Sequence, residues 1–202
     1  MVVLKVFLSL FLVFAWAVED SNAQEAMKKR KGQAIPGKEQ PHPPKVGQEA
    51  PTFSLKSPNG DVVELHKLTA SSPVVLLVLR GWPEYQCPIC SRQMGQFFSK
   101  KAEFEKLGAH VVMIYPGPAD KLAEHAKEFQ GNQKFSDNFH FLIDPEYKFT
   151  NAWGLRWEAP RETAYPSTFI VGKDNKIKYG VTSVSHGDRS DAATVLGELA
   201  KL

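Results

Sequence analysis

The 202-residue sequence holds two cysteines, and they stand together as Cys87-Pro88-Ile89-Cys90. A thiol reacts as its thiolate. The motif follows an apolar run at 74–79 and opens an amphipathic stretch, so it falls where a strand ends and a helix begins. Unpaired N–H groups and the dipole at a helix start favour negative charge. A thiol pKa below the ordinary ~8.5 is the expected result. Two cysteines three residues apart can also close a disulfide. Cys87, at the helix edge, is expected to be the more exposed. Cys90, one turn in, falls on the apolar face. That asymmetry supplies an attacking thiol and a resolving thiol, cycling between dithiol and disulfide.

Two other uses of the pair carry less weight. A structural bridge across so short a loop removes little chain entropy, and a domain of this size needs no staple. Zinc wants four ligands, and there is no second cysteine pair. His42, His66, His110, His125, His140 and His186 are scattered without ligand spacing. No metal and no cofactor is therefore expected. A chaperone that binds a soft metal through the two sulfurs remains as an alternative of another class.

The elements that must position the motif follow from apolar periodicity. Phe53 and Leu55, then Val63 and Leu65, alternate with polar neighbours around Pro58-Asn59-Gly60, which predicts an opening hairpin. The continuous apolar run at 74–79 predicts a strand covered on both faces. Residues 88–107 read as one helix, with Pro88 in its first turn and Gly108 past its end. At about 100° per residue, Cys90, Met94, Phe97, Phe98 and Phe104 share one broad face. Strands follow at 111–115 and 139–143, with a helix between them at 119–130. A second hairpin joins 168–171 to 177–179 across Lys173-Asp174-Asn175, and a helix at 191–202 closes the chain. Strands alternating with helices imply an α/β fold with a mixed central sheet covered on both faces.

The N-terminus reads as a secretory signal over 1–23. Lys5 supplies the positive start, residues 6–18 are apolar except for Ser9, and Ser21-Asn22-Ala23 suits cleavage before Gln24. A membrane anchor would need about 20 apolar residues, and this run is shorter. The expectation is an exported protein, periplasmic or secreted, with no stable membrane insertion after cleavage. Residues 24–45 read as a linker: Lys28-Lys29-Arg30-Lys31 is followed by Pro36, Pro41, Pro43 and Pro44. The segment carries a net charge of +4, while 46–202 sums to zero. No aromatic residue interleaves with these charges, so no nucleic-acid partner is expected.

Val46-Gly47-Gln48-Glu49-Ala50-Pro51-Thr52-Phe53-Ser54-Leu55 resembles the opening of the peroxiredoxin-like group, the alkyl hydroperoxide reductase and thiol-specific antioxidant (redoxin) family of the thioredoxin superfamily. Asn59-Gly60-Asp61-Val62-Val63-Glu64-Leu65 fits the same first hairpin. Arg80-Gly81-Trp82 and the Cys-Pro-Ile-Cys motif resemble the branch with a thioredoxin-style cysteine pair. The resemblance runs from about Val46 to the C-terminus. It implies a thioredoxin-like fold over 46–202, catalytic Cys87 and Cys90, and substrate-binding roles for Trp82 and Pro166.

Two departures from the family pattern bear on mechanism. Members carry Pro-x-x-x-Thr-x-x-Cys, whose last cysteine attacks peroxide. Here Pro83 and Cys90 keep that register, but Cys87 takes the place of the threonine. Members also place an arginine just before a late core strand. Here Tyr165-Pro166-Ser167-Thr168-Phe169 puts proline there, like the cis-proline loop of thioredoxins. Arg80 and Arg189 are the candidates for a compensating cation, or else ordinary ion-pair residues.

The resemblance implies a thiol-dependent antioxidant oxidoreductase whose substrate is a hydroperoxide or a protein disulfide. An external thiol reductant, such as a thioredoxin-like protein, would regenerate it. Helix-start physics makes Cys87 the nucleophile, since burial on the apolar face disfavours a Cys90 thiolate. The register counted from Pro83 points instead to Cys90.

Overall fold

The computed structural model describes residues 40–202. The signal read at 1–23 and most of the linker lie outside the described residues. The folded unit starts at Pro41. His42 donates its N–H to the Gly154 carbonyl at 2.8 Å, and Gly47 donates to Ile177 at 2.8 Å. The last part of the segment read as a linker, 41–45, therefore lies on the body. Gly154 permits this approach, since a Cβ there would stand 2.3 Å from the His42 oxygen.

Strands β1 (Ser54–Lys56) and β2 (Val62–Glu64) form the expected antiparallel hairpin, with Leu55 opposite Val63. Gly60 in its turn has φ of +102°, which glycine adopts without a Cβ penalty. Leu65 does not extend β2. It opens a short helix, α1 (Leu65–Thr69), and is fully buried there. The apolar run becomes β3 (Val74–Val78), buried at every position.

Strands β4 (His110–Gly117) and β5 (Phe139–Pro145) lie parallel to one another, and β4 lies parallel to β3. Strand β6 (Ser167–Val171) runs antiparallel to β3, and β7 (Ile177–Thr182) antiparallel to β6. Among the described residues this makes a seven-stranded mixed sheet in the order β2-β1-β5-β4-β3-β6-β7.

The stretch 88–107 folds as two helices rather than one, α2 (Pro88–Ser99) and α3 (Lys101–Lys106). They part at Lys100, whose φ of −107° and ψ of 14° leave the helical region. Its N–H reaches the Phe97 carbonyl, a tightened last turn of the kind that ends helices. Helix α4 (Leu122–Gln130) follows β4. Helix α5 (Lys148–Ala152) had no periodic signal. It is organised by the buried Asp144 carboxylate, which accepts the Phe149 and Thr150 N–H groups at 2.8 and 2.9 Å. Helix α6 (Ala192–Leu199) is capped by Asp191, which accepts the Thr194 N–H at 2.8 Å.

Alternation along β3 divides the core. Val75, Leu77 and Leu79 face a cluster that includes Cys87, Cys90, Met94, Phe97 and Val195. Val74, Leu76 and Val78 face the other, with Leu65, Phe149 and Trp153. Both sheet faces are covered, as expected. Among the described residues no helix is long and apolar enough to cross a membrane.

Candidate active site

The cysteine motif opens α2, as read from sequence, but the loop 79–86 separates it from the end of β3. Cys87 is the N-cap residue, with extended backbone, and Pro88 follows in the first turn. Its sulfur accepts the Cys90 N–H at 3.4 Å. Both cysteines are free thiols.

The expected contrast in exposure is absent: Cys87 is 3% exposed and Cys90 1%. Cys87 is buried because the segment before it is tied down. Trp82 donates its N–H to the Pro116 carbonyl at 2.9 Å. Gln86 accepts the Tyr115 hydroxyl at 2.7 Å and donates to the His125 carbonyl at 2.9 Å. The Trp82 ring lies flat on the His125 ring, with 3.6 Å between centroids. Trp82, within the loop that leads to the motif, thus packs against α4.

The two thiols differ in acidity despite similar burial. Cys87 is pulled down to about 5. The Cys90 thiol donates to it, burial opposes, and the N–H groups of Cys90 and Ile89 and the Arg189 charge add to the fall. Burial pushes the Cys90 thiol well above its ordinary value, and its bond to Cys87 pushes the same way. The pair therefore holds one negative charge, centred on Cys87. The direction is the one expected at a helix start, but its largest cause is the Cys90 thiol, with the helix-start N–H groups adding to it.

The cation beside the pair is Arg189, from the loop between β7 and α6. Its Nη1 donates to Cys90 Sγ at 3.1 Å and to Gln93 Oε1 at 3.1 Å, and its Nε donates to the His186 carbonyl at 3.0 Å. Its Nη2 is buried and has no hydrogen-bond partner among the described residues. Arg80 meets Cys90 differently. Its backbone N–H donates to Cys90 Sγ at 3.3 Å. Its guanidinium turns away to Glu162 at 2.8 Å, to the Tyr85 hydroxyl and to the Arg161 carbonyl.

Pro166 lies immediately beyond the Val78–Ser167 pair, at the end of β3 from which the motif's loop departs. The expected cis bond before it is not found: there are no cis peptides among the described residues. A trans bond carries the chain in extended form from Tyr165 into β6. Tyr165 donates its N–H to Leu155 at 2.8 Å and its carbonyl accepts the Ser167 hydroxyl at 2.9 Å, while the Pro166 carbonyl accepts the Ser183 N–H at 2.9 Å. This loop therefore presents none of those groups to a substrate.

Gln93, Gln86 and Tyr115 stand near the pair, and Glu162 and His186 reach it through Arg80 and Arg189; no motif in the sequence marks these roles. Gln93, one turn after Cys90, could have been found from helical spacing. Glu162 and His186 reach the site on irregular loops and leave no periodic signal. Among the described residues no three His, Cys, Asp or Glu side chains converge as a metal site.

The redoxin family model matches residues 45–196. A putative peroxiredoxin bcp of Helicobacter pylori is 32% identical over 156 residues, covering 71% of this chain and 93% of that protein. The chloroplastic peroxiredoxin Q of Oryza sativa subsp. japonica is 29% identical over 133 residues, covering 66% of this chain and only 57% of that protein. Among solved structures, peroxidoxin BcpB of Mycobacterium tuberculosis superposes with a TM-score of 0.60 at 22% identity, covering 79% of this chain and 98% of that one. A peroxiredoxin-like protein of Aquifex aeolicus superposes with a TM-score of 0.63 at 15% identity, over 79% of this chain and 88% of that one. These likenesses show the thioredoxin-like fold. With the family match across the folded body and the cysteine pair seated at a strand-to-helix junction, the chain belongs to the redoxin family.

Proposed function

We propose that the protein is a thiol peroxidase in which Cys87 attacks a hydroperoxide and Cys90 resolves the product. The observation that carries this reading is the burial of both sulfurs around a single acidic thiol. A hydroperoxide is small enough to reach such a pair; a disulfide within another protein is not. The unpartnered, buried Nη2 of Arg189 supports the reading, as a donor for a substrate oxygen.

In the first step the Cys87 thiolate attacks one peroxide oxygen. The O–O bond breaks, the leaving oxygen takes a proton and departs as water or an alcohol, and Cys87 becomes a sulfenic acid. In the second, the Cys90 sulfur attacks that sulfenic sulfur. A disulfide forms and the hydroxyl leaves as water. Contact with Arg189 favours the Cys90 thiolate needed here. An external dithiol then reduces the disulfide by exchange. The apolar N-terminal run supports placing this chemistry outside the cytoplasm.

The trans Tyr165–Pro166 bond and the occupied backbone groups around it weigh against thiol–disulfide exchange with protein substrates. A single-turnover experiment on two variants tests the assignment. Cys90→Ser should consume one equivalent of hydrogen peroxide and trap a sulfenic acid at Cys87. Cys87→Ser should consume none quickly. The opposite pattern would move the nucleophile to Cys90, as the register from Pro83 implies.

A further inference from the structure

The hydrogen bonds around Cys90 close into a circuit. Arg80 donates its backbone N–H to Cys90 Sγ at 3.3 Å and its Nε to Glu162 Oε2 at 2.8 Å. The other Glu162 oxygen meets His186 Nε2 at 3.0 Å. The His186 carbonyl accepts Arg189 Nε at 3.0 Å, and Arg189 Nη1 returns to Cys90 Sγ at 3.1 Å. Cys90 is thus held from two sides, and among the described residues the Glu162 side chain joins them. It is well placed for this: its side chain is 13% exposed and that of Arg80 3%.

The segment that carries Glu162 is itself clamped. Arg156 Nη1 donates to the carbonyls of Trp157 and Thr163, each at 2.6 Å, and to that of Glu162 at 3.3 Å. The guanidinium of Arg156 lies over the Tyr147 ring, 4.0 Å from its centroid. The loop bearing Arg189 is fixed at its ends, where Ser183 donates its N–H to the Pro166 carbonyl at 2.9 Å and the Ser190 carbonyl accepts from Gln93 at 3.1 Å, and is looser between them. Val184, Gly187 and Asp188 are exposed, and Ser183 and Ser185 bond chiefly to one another and to Asp188. The Glu162–His186 bond links this looser loop to the clamped one.

We propose that Glu162 is a positioning residue for the resolving step, holding Arg189 on Cys90 through His186 and the Arg80 backbone on Cys90 through the Arg80 guanidinium. The proposal rests on the thiol-peroxidase reading above. The step it serves is attack of the Cys90 sulfur on the Cys87 sulfenic acid, with the sulfenic hydroxyl leaving as water. That step needs the Cys90 proton removed while the sulfur stays aimed. Arg189 and the Arg80 N–H, both donors, stabilise the thiolate as the proton passes to the departing hydroxyl and keep the sulfur aimed, but only while their loops stay in register. The first step depends chiefly on the Cys87 position at the helix start, which Glu162 does not touch; the Arg189 charge enters it only as one of the smaller causes that lower the Cys87 pKa.

The test follows both steps in rapid mixing with hydrogen peroxide. A dimedone-type trap reads sulfenic acid, and loss of free thiol reads disulfide. Glu162→Ala should slow disulfide formation about tenfold or more, short of the roughly hundredfold or greater effect of removing a preorganised donor itself. Formation of the sulfenic acid should change much less, so trapped sulfenic acid should rise. The pH profile of the resolving step should move to higher pH. Glu162→Gln can still accept from Arg80 and donate to a neutral His186, and should recover most of the rate.

His186→Phe cuts the circuit without touching Glu162. It should slow the same step, and the Glu162→Ala/His186→Phe double variant should be slower than either by much less than the product of the two effects. Independent, multiplying effects, an unmoved pH profile, or equal slowing of both steps would overturn the proposal. Should Glu162→Ala fail to fold, Glu162→Gln and His186→Phe still decide it. Absence of any Cys87 sulfenic acid in the wild-type protein would instead overturn the reading on which it rests.

Discussion

Arg189 Nη1 lies 3.1 Å from Cys90 Sγ, although the two residues are 99 positions apart in the chain. The same guanidinium reaches Gln93 on α2 and the His186 carbonyl on its own loop. A charge held by three partners at fixed angles is arginine chemistry, and a lysine cannot reproduce the fork.

Arg189→Met should therefore raise the Cys87 pKa from about 5, since the Arg189 charge is among the causes that lower it. Thiolate absorbance or the pH midpoint of alkylation measures this. The sign is fixed: reactivity of Cys87 is present above its pKa and lost as pH falls through it, so the acid limb should move to higher pH. Peroxide turnover should fall by about tenfold or more, and Arg189→Lys should restore only part of it.

His110 Nδ1 and His140 Nε2 meet at 3.1 Å on the neighbouring strands β4 and β5. Burial lowers both pKa values, and His110 lowers His140 further, to about 4. The folded protein thus holds these rings neutral where the unfolded chain, with histidines near ~6.5, takes up protons. Stability is complete above about 6.5 and is lost as pH falls toward about 4. After discounting for partial solvent exposure, the loss should be about 1–2 kcal/mol. Denaturant titrations at pH 7 and pH 5 measure it, and His140→Gln should flatten the dependence.

Gly81 has φ of +75°, and a Cβ built on it would stand 1.9 Å from the Pro116 carbonyl oxygen. That oxygen already accepts the Trp82 N–H. Gly81→Ala should destabilise the fold by about 2–4 kcal/mol through backbone strain and collision. It should also loosen the loop over Cys87. A melting curve gives the first effect, and faster reaction of Cys87 with a bulky thiol reagent gives the second.

Pro166→Ala distinguishes an element of the fold from a substrate-binding loop. The residue stands where β6 begins, and the backbone groups around it are already bonded within the chain. Peroxide turnover should stay within about threefold of wild type, less than 1 kcal/mol in barrier. A loss of two orders of magnitude would show that the loop touches the substrate.

The reactive centre was legible to the extent that it depends on local chain geometry. The strand-to-helix junction, Pro88 in the first turn and both hairpins are set by neighbours within a few residues. Asn59-Gly60 and Lys173-Asp174-Asn175 each punctuate alternating apolar runs, and both folded as read. The break at Lys100 leaves no mark in the sequence because apolar spacing continues through it to Phe104. Helix α5 is a five-residue element organised by a buried aspartate, too short to show a period. The shell around Cys90 is unmarked for a different reason. Arg80 and Arg189 were both visible as arginines, but which of them turns its guanidinium to the sulfur depends on Glu162, 82 residues beyond Arg80. The burial of Cys87 is hidden from the sequence for the same reason, since Tyr115 and His125, which tie down Gln86, lie on other elements.

The proline-rich stretch that lies on the body has a bearing on association between molecules. Strand β7 is the outermost strand on its side of the sheet, and such a rim offers unpaired backbone groups to any extended chain that meets it. Here Gly47 and Gln48 take up the backbone of Ile177, and Pro41, His42, Pro43 and Pro44 run past Gly180 and Thr182 with Phe169 below. Prolines have no N–H to donate, so the covering stretch is itself a poor template for another strand. Proteolytic trimming that took this stretch would bare the β7 rim, and the expected outcome is self-assembly into aggregates before any loss of thiol chemistry.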